Sequence, residues 1–229
     1  MKRATSGSRW VSCALSIPAV RNPLRPLDMA EVFPSIEEEL GPYRRHFRGR
    51  VLNAGAGTRD ISDLVEGELV NQDLEPGPGI DFVAPLHQVP ADDASFDAVI
   101  CNAVLEHVPN PDAVVAELHR VTRPGGVLYL CIPFMQPVHL DPGDYQRYTL
   151  DGLRLLAERH GFEVREAGPV HSVYVTLAWI VSEWLRGRKG PGAKALKAIL
   201  YPALRRKCRT STDQVASIAS AYRVLAVRT

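Results

Sequence analysis

The sequence is poor in several features that mark special classes of protein. It has four cysteines in 229 residues, and they are scattered, with no Cys-x-x-Cys pair. This spacing argues against a zinc site or a disulfide framework and predicts reduced thiols in a cytosolic protein. The net charge of +1 indicates no charged partner. The apolar run between His171 and Glu183 is too short for a membrane span.

What the sequence does contain suits one globular domain. Hydrophobic residues make up 45% of the chain and charged residues 23%, a composition that can bury a core. The N-terminus has a basic start and a short apolar run, interrupted by Ser16 and Pro18. This favours a poorly ordered leader over a secretory signal. We predict that residues 1–47 form a leader and a helical cap, and that residues 48–229 form the main domain.

Short apolar runs bounded by glycine, proline or charge predict β-strands. Three of them are rich in Val, Ile and Leu and suit buried parallel strands, and two weaker ones lie between the first and second of these. Two more are expected late in the chain, and the last of them alternates like an edge strand. The predicted strands are residues 50–55, 67–73, 79–85, 96–102, 125–134, 162–170 and 220–229.

Two amphipathic helices are predicted between these strands. Residues 110–122 place apolar side chains on one side, and residues 149–161 do the same, with Thr149 as N-cap and Gly161 as C-cap. Strands that alternate with such helices indicate an α/β sheet with right-handed crossovers. In such a sheet a ligand binds outside the carboxyl ends of the strands.

A glycine-rich turn in GRVLNAGAGTRDIS follows the first strand and is expected to lead into a helix. Gly55 and Gly57 let the backbone turn sharply and let a ligand approach closely. Asp73, at the end of the second strand, suits the two hydroxyls of a ribose. A dinucleotide loop would have a third glycine where Asp60 stands, so NAD and FAD are disfavoured. Taken alone, the loop is also compatible with an ordinary turn between two elements.

The segment FDAVICNAVLEHVPNPDAVVAELHRVTRPGGVLYLCIP resembles the central part of class I S-adenosylmethionine-dependent methyltransferases of the small-molecule type called type 11. The stretch HLDPGDYQRYTLDGLRLLAERHGFEV further resembles members found with glycan, lipid and secondary-metabolite tailoring. The resemblance covers residues 48–169. It implies a Rossmann-like seven-stranded sheet of order 3-2-1-4-5-7-6, with the last strand antiparallel and helices on both faces. It also implies methyl transfer from S-adenosylmethionine to an oxygen, with nitrogen as the less favoured acceptor.

The same resemblance implies which residues hold S-adenosylmethionine. The glycine loop lies against the methionine part, the acid after the second strand binds the ribose, and the segment after Pro85 lies along the adenine. Two positions depart from the family pattern, because Asn53 and Pro85 stand where acids are common. Both departures predict weaker cofactor binding. The implied cofactor-binding residues are Asn53, Gly55, Gly57, Asp73, Leu86 and Asn102.

The acceptor is expected beside the lid loop, residues 135–148, which follows the fifth strand in this architecture. His139 in this loop and His107 after Glu106 are the candidate catalytic residues, because histidine titrates near neutral pH. A structural role for His107 in its turn is the alternative. No metal site is predicted, since Ala103 stands where some related enzymes have an acid that binds a cation. The candidate substrate-binding residues are Asp144, Tyr145, Arg147 and Tyr148, although a salt bridge of Arg147 and packing of the tyrosines fit the sequence as well.

Residues 171–210 are expected to form a helical, basic insertion. Two interpretations stay open. The insertion either caps the acceptor pocket with a solvated basic face, or contacts an anionic membrane and reaches a lipid-linked acceptor. Nucleic acid is disfavoured as a partner because the basic run lacks interleaved aromatic residues.

The sequence therefore predicts a cytoplasmic or membrane-peripheral methyltransferase that acts on a small-molecule, glycan or lipid-linked acceptor. The competing interpretation is a nucleotide-binding or interaction module that kept the fold and lost turnover. A short-chain NAD oxidoreductase is disfavoured by Asp60 and by the absence of a Tyr-x-x-x-Lys pair. Neither the identity of the acceptor nor the oligomeric state follows from the sequence.

Overall fold

The computed structural model describes residues 27–28, 32–140 and 143–229. The predicted leader and the first part of the predicted cap lie outside these residues. Seven strands form one sheet: β1 (Arg48–Ala54), β2 (Glu66–Asp73), β3 (Phe82–Val83), β4 (Phe96–Asn102), β5 (Thr122–Pro133), β6 (Phe162–Pro169) and β7 (Ala221–Arg228). The α-helices are α1 (Ile36–Leu40), α2 (Pro111–Val121), α3 (Leu150–Glu158), α4 (Val173–Leu185) and α5 (Pro191–Thr210).

The sheet has the strand order β3-β2-β1-β4-β5-β7-β6, which confirms the predicted order. The first five strands are parallel, and β7 runs antiparallel to both β5 and β6. The expectation of an edge position for the last strand is wrong, because β7 pairs on both sides. Its residues Val224, Leu225 and Ala226 are all buried, so both of its faces are covered. The edge position belongs to β6 instead.

Two apolar clusters pack on opposite faces of the sheet. Leu52 belongs to one cluster and its neighbour Val51 to the other, because alternate residues of a strand point to opposite faces. Burial on both faces explains why the central strands are continuous apolar runs. Cys101 and Cys131 are buried, one in each cluster, and burial raises the pKa of both thiols. These two cysteines are therefore core residues.

The two predicted helices form where the amphipathic patterns place them. In α2 the apolar positions face the core, and Asn110 caps the first turn by accepting from the backbone N–H of Ala113 at 3.2 Å. Thr149 caps α3 as predicted, since its Oγ1 accepts from the backbone N–H of Gly152 at 3.1 Å. The helix ends at Glu158, three residues before Gly161, whose φ of +81° turns the chain into β6.

The connection between β1 and β2 differs from the expectation. The helix predicted after the glycine turn is absent, and residues 55–65 contain a single 3₁₀ turn at Ser62–Leu64 before β2 begins. Gly, Thr and Asp dominate the start of this segment, which therefore has no apolar stripe that a helix could bury. The predicted strand at 79–85 is reduced to Phe82–Val83.

Helices α4 and α5 pack against each other beside the sheet. They share a third apolar cluster that includes Val175 and Ala178 of α4 and Tyr201 of α5. Part of α4 is not covered by this packing, and three of its large apolar side chains remain exposed: Leu177, Ile180 and Trp184. Within the ranges that the structure describes, no helix has both the length and the apolar character needed to cross a membrane.

Candidate functional site

The glycine turn after β1 lies at the carboxyl edge of the sheet, between the ends of β2 and β4. Gly55 has a φ of +71°, and a Cβ there would stand 2.5 Å from a methyl group of Val104. Its backbone N–H donates to the side-chain oxygen of Gln72 at 3.0 Å. Gly57, with a φ of +58°, faces open space. The first glycine is therefore fixed by packing, and the second leaves room for a ligand at the backbone.

Asp73 ends β2 with its carboxylate turned toward this glycine loop. One oxygen accepts from the backbone N–H of Gly57 at 2.7 Å, and the other accepts from Leu74 at 2.7 Å. The oxygen that binds Leu74 also accepts from the backbone N–H of Glu75 at 3.2 Å. A carboxylate has about four acceptor positions, so the oxygen that binds Gly57 keeps capacity for a further donor. The predicted ribose residue and the predicted loop residues are thus brought together, and Asp73 also holds the loop in place.

Asn53, the residue that stands in place of a common acid, makes a cross-strand contact. Its side-chain amide donates to the side-chain oxygen of Asn71 on β2 at 2.9 Å, and the two residues are in register. A carboxylate at position 53 would bring one of its oxygens against the side-chain oxygen of Asn71, and the two would repel. An asparagine at position 53 can instead donate its amide N–H to that oxygen. Among the other implied cofactor residues, Leu86 and Asn102 are buried, and the amide nitrogen of Asn102 has no hydrogen-bond partner in the described part of the chain.

Arg59, which follows the glycine turn, is a residue for which no role was predicted. Its guanidinium extends from the glycine loop to the end of β4 and donates to the backbone carbonyl of Asn102 at 2.8 Å. It therefore places a positive charge where the loop meets the next strand. The residues next to Arg59 in the sequence do not indicate this contact, because it depends on how β1 and β4 lie beside each other in the sheet.

A cavity of about 300 Å³ is lined in part by Asn102 and Arg59. Its aromatic wall is made by Phe33, whose ring contacts Trp179 and His171 edge-on at centroid distances of 5.3 and 5.0 Å. The cavity also contains the carboxylate of Glu39, 3.5 Å from His171 Nε2. Burial raises the pKa of Glu39, but the contact with His171 outweighs burial and holds the pKa below its ordinary value.

The two predicted catalytic histidines meet at a second acid of this cavity. Glu106 is completely buried in the 3₁₀ turn Leu105–His107, and its Oε1 lies 3.6 Å from His107 Nε2 and 3.8 Å from His139 Nε2. The Glu106 carboxylate raises the pKa of His139 and outweighs the opposite effect of burial. Ala103, two residues before this turn, has a left-handed φ of 55°, an unusual conformation for alanine that is often found at functional sites.

Two of the four predicted substrate-binding residues, Asp144 and Arg147, contact His139. Asp144 accepts from the backbone N–H of His139 at 3.0 Å and also binds the guanidinium of Arg147. Tyr148 packs on the core cluster, and Tyr145 is exposed. The salt bridge and the packing that the sequence left open as alternatives are thus present, and a substrate role for these residues stays a prediction.

The cluster of Glu106, His107 and His139 also bears on metal binding. Their ligand atoms all lie within 4.8 Å of one another. The sequence predicted no metal site because the place of the extra acid is taken by Ala103. Ala103 is a near neighbour of Glu106 along the chain, whereas His139 comes from the lid loop that follows β5 in the sequence.

Comparison with known proteins agrees with this geometry. Residues 60–130 match the family model described as "Methyltransferase domain". The demethylmenaquinone methyltransferase of Parafrankia sp. (strain EAN1pec) is 35% identical over 119 residues, which are 51% of this chain and 41% of that protein. The ubiquinone biosynthesis O-methyltransferase of Dechloromonas aromatica (strain RCB) is 35% identical over 94 residues, which are 36% of this chain and 39% of that protein. The chain thus spans well under two thirds of either relative.

A solved structure has the same architecture along most of the chain. It is the Burkholderia thailandensis 1,6-didemethyltoxoflavin-N1-methyltransferase with bound 1,6-didemethyltoxoflavin and S-adenosylhomocysteine. The match has a TM-score of 0.55 at 18% identity and covers 88% of this chain and 80% of that chain. At this identity the match establishes the fold.

Proposed function

We propose that this chain, which has the fold and the central segment of class I S-adenosylmethionine-dependent methyltransferases, binds S-adenosylmethionine and transfers its methyl group to an oxygen of an acceptor. The observation that carries the proposal is the position of Asn102. Asn102 accepts from Arg59 of the glycine loop that Asp73 holds, and both Asn102 and Arg59 line the cavity that contains Glu106 and His139. A donor at the loop and an acceptor in the cavity would therefore meet at the end of β4.

The residues of the donor side fit the cofactor. The open backbone at Gly57 admits a ligand, and Asp73 has a free acceptor position for a ribose hydroxyl. The unpaired amide of buried Asn102 and the charge of Arg59 suit the carboxylate of the methionine part. When bound, S-adenosylmethionine supplies a methyl carbon that its sulfonium has already activated. The chain then has to align the acceptor with that carbon, and alignment alone can contribute several kcal/mol (about 7–11) to catalysis.

On the acceptor side we propose that Glu106, His107 and His139 handle the proton of a hydroxyl. An imidazole that can exchange a proton near neutral pH suits this step. The name of the Dechloromonas relative, an O-methyltransferase, supports oxygen over nitrogen. The acceptor we propose is a small molecule, with a glycan or lipid-linked molecule as narrower possibilities. Asp144 and Arg147 position His139 in this proposal, through the contacts described above.

The experiment that tests the donor side is calorimetric titration of the purified chain with S-adenosylmethionine, S-adenosylhomocysteine and NAD. Binding of the first two and not of NAD is expected. Failure of both S-adenosyl compounds to bind would refute the proposed function. Binding without production of S-adenosylhomocysteine, across a panel of hydroxylated and amine acceptors, would favour the alternative of a module that kept the fold and lost turnover.

We further propose that α4 and α5 bring the protein to an anionic membrane surface, so that a lipid-linked acceptor can reach the cavity. Three exposed apolar side chains share one face of α4, at positions 177, 180 and 184. Basic residues follow directly at Arg186, Arg188 and Lys189, and such a combination suits anionic lipids.

Sedimentation with vesicles tests this contact. Vesicles of phosphatidylglycerol should retain the protein, and vesicles of phosphatidylcholine should not. Trp184→Gln should weaken the retention, whereas Leu155→Gln, at an equally exposed apolar position of α3, should leave it unchanged. If the vesicles bind both variants equally, or do not bind the parent protein, the proposed membrane contact is refuted. The acceptor would then be a soluble molecule.

A further inference from the structure

Glu106 is a buried carboxylate that the rest of the described chain does not satisfy. It has no exposed surface, and neither of its oxygens has a hydrogen-bond partner among the residues described. Two imidazoles face it, from His107 at 3.6 Å and from His139 at 3.8 Å. Both distances are too long for a hydrogen bond. A buried charge without a partner destabilises the folded protein, so a positively charged ligand at this point would lower that cost.

The groups around the opposite ring nitrogens favour one tautomer of each histidine. His107 Nδ1 contacts the carbonyl oxygen of Gly143. His139 Nδ1 lies 3.4 Å from a backbone carbonyl and 3.7 Å from Asp144 Oδ2. A nitrogen of Arg147 also faces it at 3.5 Å, but Arg147 already donates to Asp144. Oxygen acceptors at Nδ1 favour a proton there and leave the lone pair on Nε2.

With both imidazoles neutral and protonated at Nδ1, two Nε2 lone pairs and one buried carboxylate converge on the point between these three side chains. A cation bound there would supply the positive charge that Glu106 lacks. The distances from Glu106 to the two histidines bear on the kind of cation. Ligands held tetrahedrally at about 2.1 Å from a metal lie about 3.4 Å apart, whereas acceptors about 2.9 Å from an ammonium nitrogen lie about 4.7 Å apart. The 3.6 and 3.8 Å separations at Glu106 are closer to the metal value, and all three ligand atoms lie within 4.8 Å of one another.

We propose that Glu106, His107 and His139 bind one divalent transition-metal ion at the acceptor cavity. Two histidines and one carboxylate are a ligand set that leaves coordination positions open and suits ions such as Zn²⁺, Co²⁺, Mn²⁺ or Fe²⁺. The contacts of both Nδ1 atoms are the outer partners that orient ligand histidines in metal sites. Neither the glycine loop nor Asp73 contributes to this site, so it is separate from the donor side.

This inference rests on the proposed methyltransferase function for its chemical meaning. An acceptor hydroxyl on the open side of the ion would become more acidic and release its proton to solvent water. Its oxygen then bonds to the methyl carbon, the carbon–sulfur bond of the donor breaks, and that electron pair stays on sulfur. Atoms and charges balance without any oxidant or reductant. His107 and His139 act here as ligands through Nε2, so the ion takes over the activation that a free base would otherwise provide.

The test uses the full chain without an affinity tag, freed of metal with a chelator and then dialysed. Co²⁺ is titrated with detection of its visible d–d absorption, and Zn²⁺ by calorimetry. One equivalent of each should bind. Glu106→Gln and His139→Asn should each weaken binding by a factor of ten or more. His160→Asn is the matched control, because that histidine is bound to Asp112 at 2.8 Å away from the cavity, and it should bind as the parent does.

Folding of the variants is checked by circular dichroism and by calorimetric binding of S-adenosylhomocysteine. Absence of Co²⁺ and Zn²⁺ binding in the folded parent protein would overturn the metal site. So would stoichiometric binding that Glu106→Gln leaves unchanged, because it would place the ion at other side chains. Methyl transfer that persists in chelator would also refute the role of the ion and leave the methyltransferase proposal intact. Metal binding that depends on Glu106, in a protein that binds no S-adenosyl compound, would refute the methyltransferase proposal and keep the site.

Discussion

Replacement of Asp73 by alanine is the sharpest test of how the donor side works. In the structure its carboxylate holds the backbone N–H of Gly57 at 2.7 Å and that of Leu74 at 2.7 Å, and it still has capacity for a ribose hydroxyl. Hydrogen bonds to a charged group each contribute roughly 1.5–3 kcal/mol, less where water competes. Because Asp73 is partly exposed, we expect Asp73→Ala to weaken binding of S-adenosylhomocysteine by about 1–3 kcal/mol, a factor of about 5 to 150.

Calorimetric titration with S-adenosylhomocysteine measures this loss directly. Asp81→Ala is the matched control, because Asp81 also accepts a backbone N–H, from Asn71 at 2.8 Å, at the same end of the sheet. Both variants should lose stability through the backbone contact, but only Asp73→Ala should lose affinity. If both variants bind S-adenosylhomocysteine as tightly as the parent does, Asp73 only supports the loop and the ribose lies elsewhere. If both lose affinity to the same extent, the affinity depends on general stability.

Three further predictions concern the surroundings of the site. Gly67→Ala would place its Cβ 2.1 Å from the carbonyl oxygen of Gly49, so urea unfolding should show a free energy of unfolding that is lower by about 2–4 kcal/mol. Gly77→Ala is the control, because its Cβ would make only a normal contact at 3.6 Å and should change the stability little. Arg59→Ala should weaken S-adenosylmethionine binding about tenfold or more, since one charged hydrogen bond is lost. Binding of adenosine, which lacks the methionine part, should stay unchanged. Equal losses of affinity for both ligands would contradict a contact between Arg59 and the methionine part. The lowered pKa of Glu39 stabilises the folded protein above the ordinary value of 4.5, and this contribution is lost as pH falls through the folded value. The free energy of unfolding should therefore fall more steeply below pH 4.5 in the parent than in Glu39→Gln, and parallel pH profiles would refute the assignment.

The fold was predictable because its signals are local. The buried strands are continuous apolar runs, and the helices repeat apolar residues on one side, so each element is indicated by its own residues. Thr149 caps α3 because a threonine before an amphipathic run favours that role. The helix expected after Gly57 is absent because that inference came from the motif of other nucleotide loops and not from an apolar stripe in this sequence.

The candidate site was predictable only in part. Gly55, Gly57 and Asp73 follow directly from strand ends, since the carboxyl ends of parallel strands meet at one edge of a sheet. The partner of Asn53 was not predictable, because it depends on the register between β1 and β2. The reach of Arg59 likewise depends on the distance between the glycine loop and β4.

The sequence by itself determined the type of sheet, the position of the glycine loop and the acid that faces it, because these are encoded in short stretches with a fixed period or spacing. The local pattern of the last strand indicated an edge, whereas the packed sheet has β7 between β5 and β6, in the order that the family resemblance implied. Only the tertiary structure decided that His139 of the lid loop joins Glu106 and His107 around one point. The physical reason is that burial leaves a pattern in each segment, whereas the meeting of distant polar groups depends on how the segments pack, and no single segment records it.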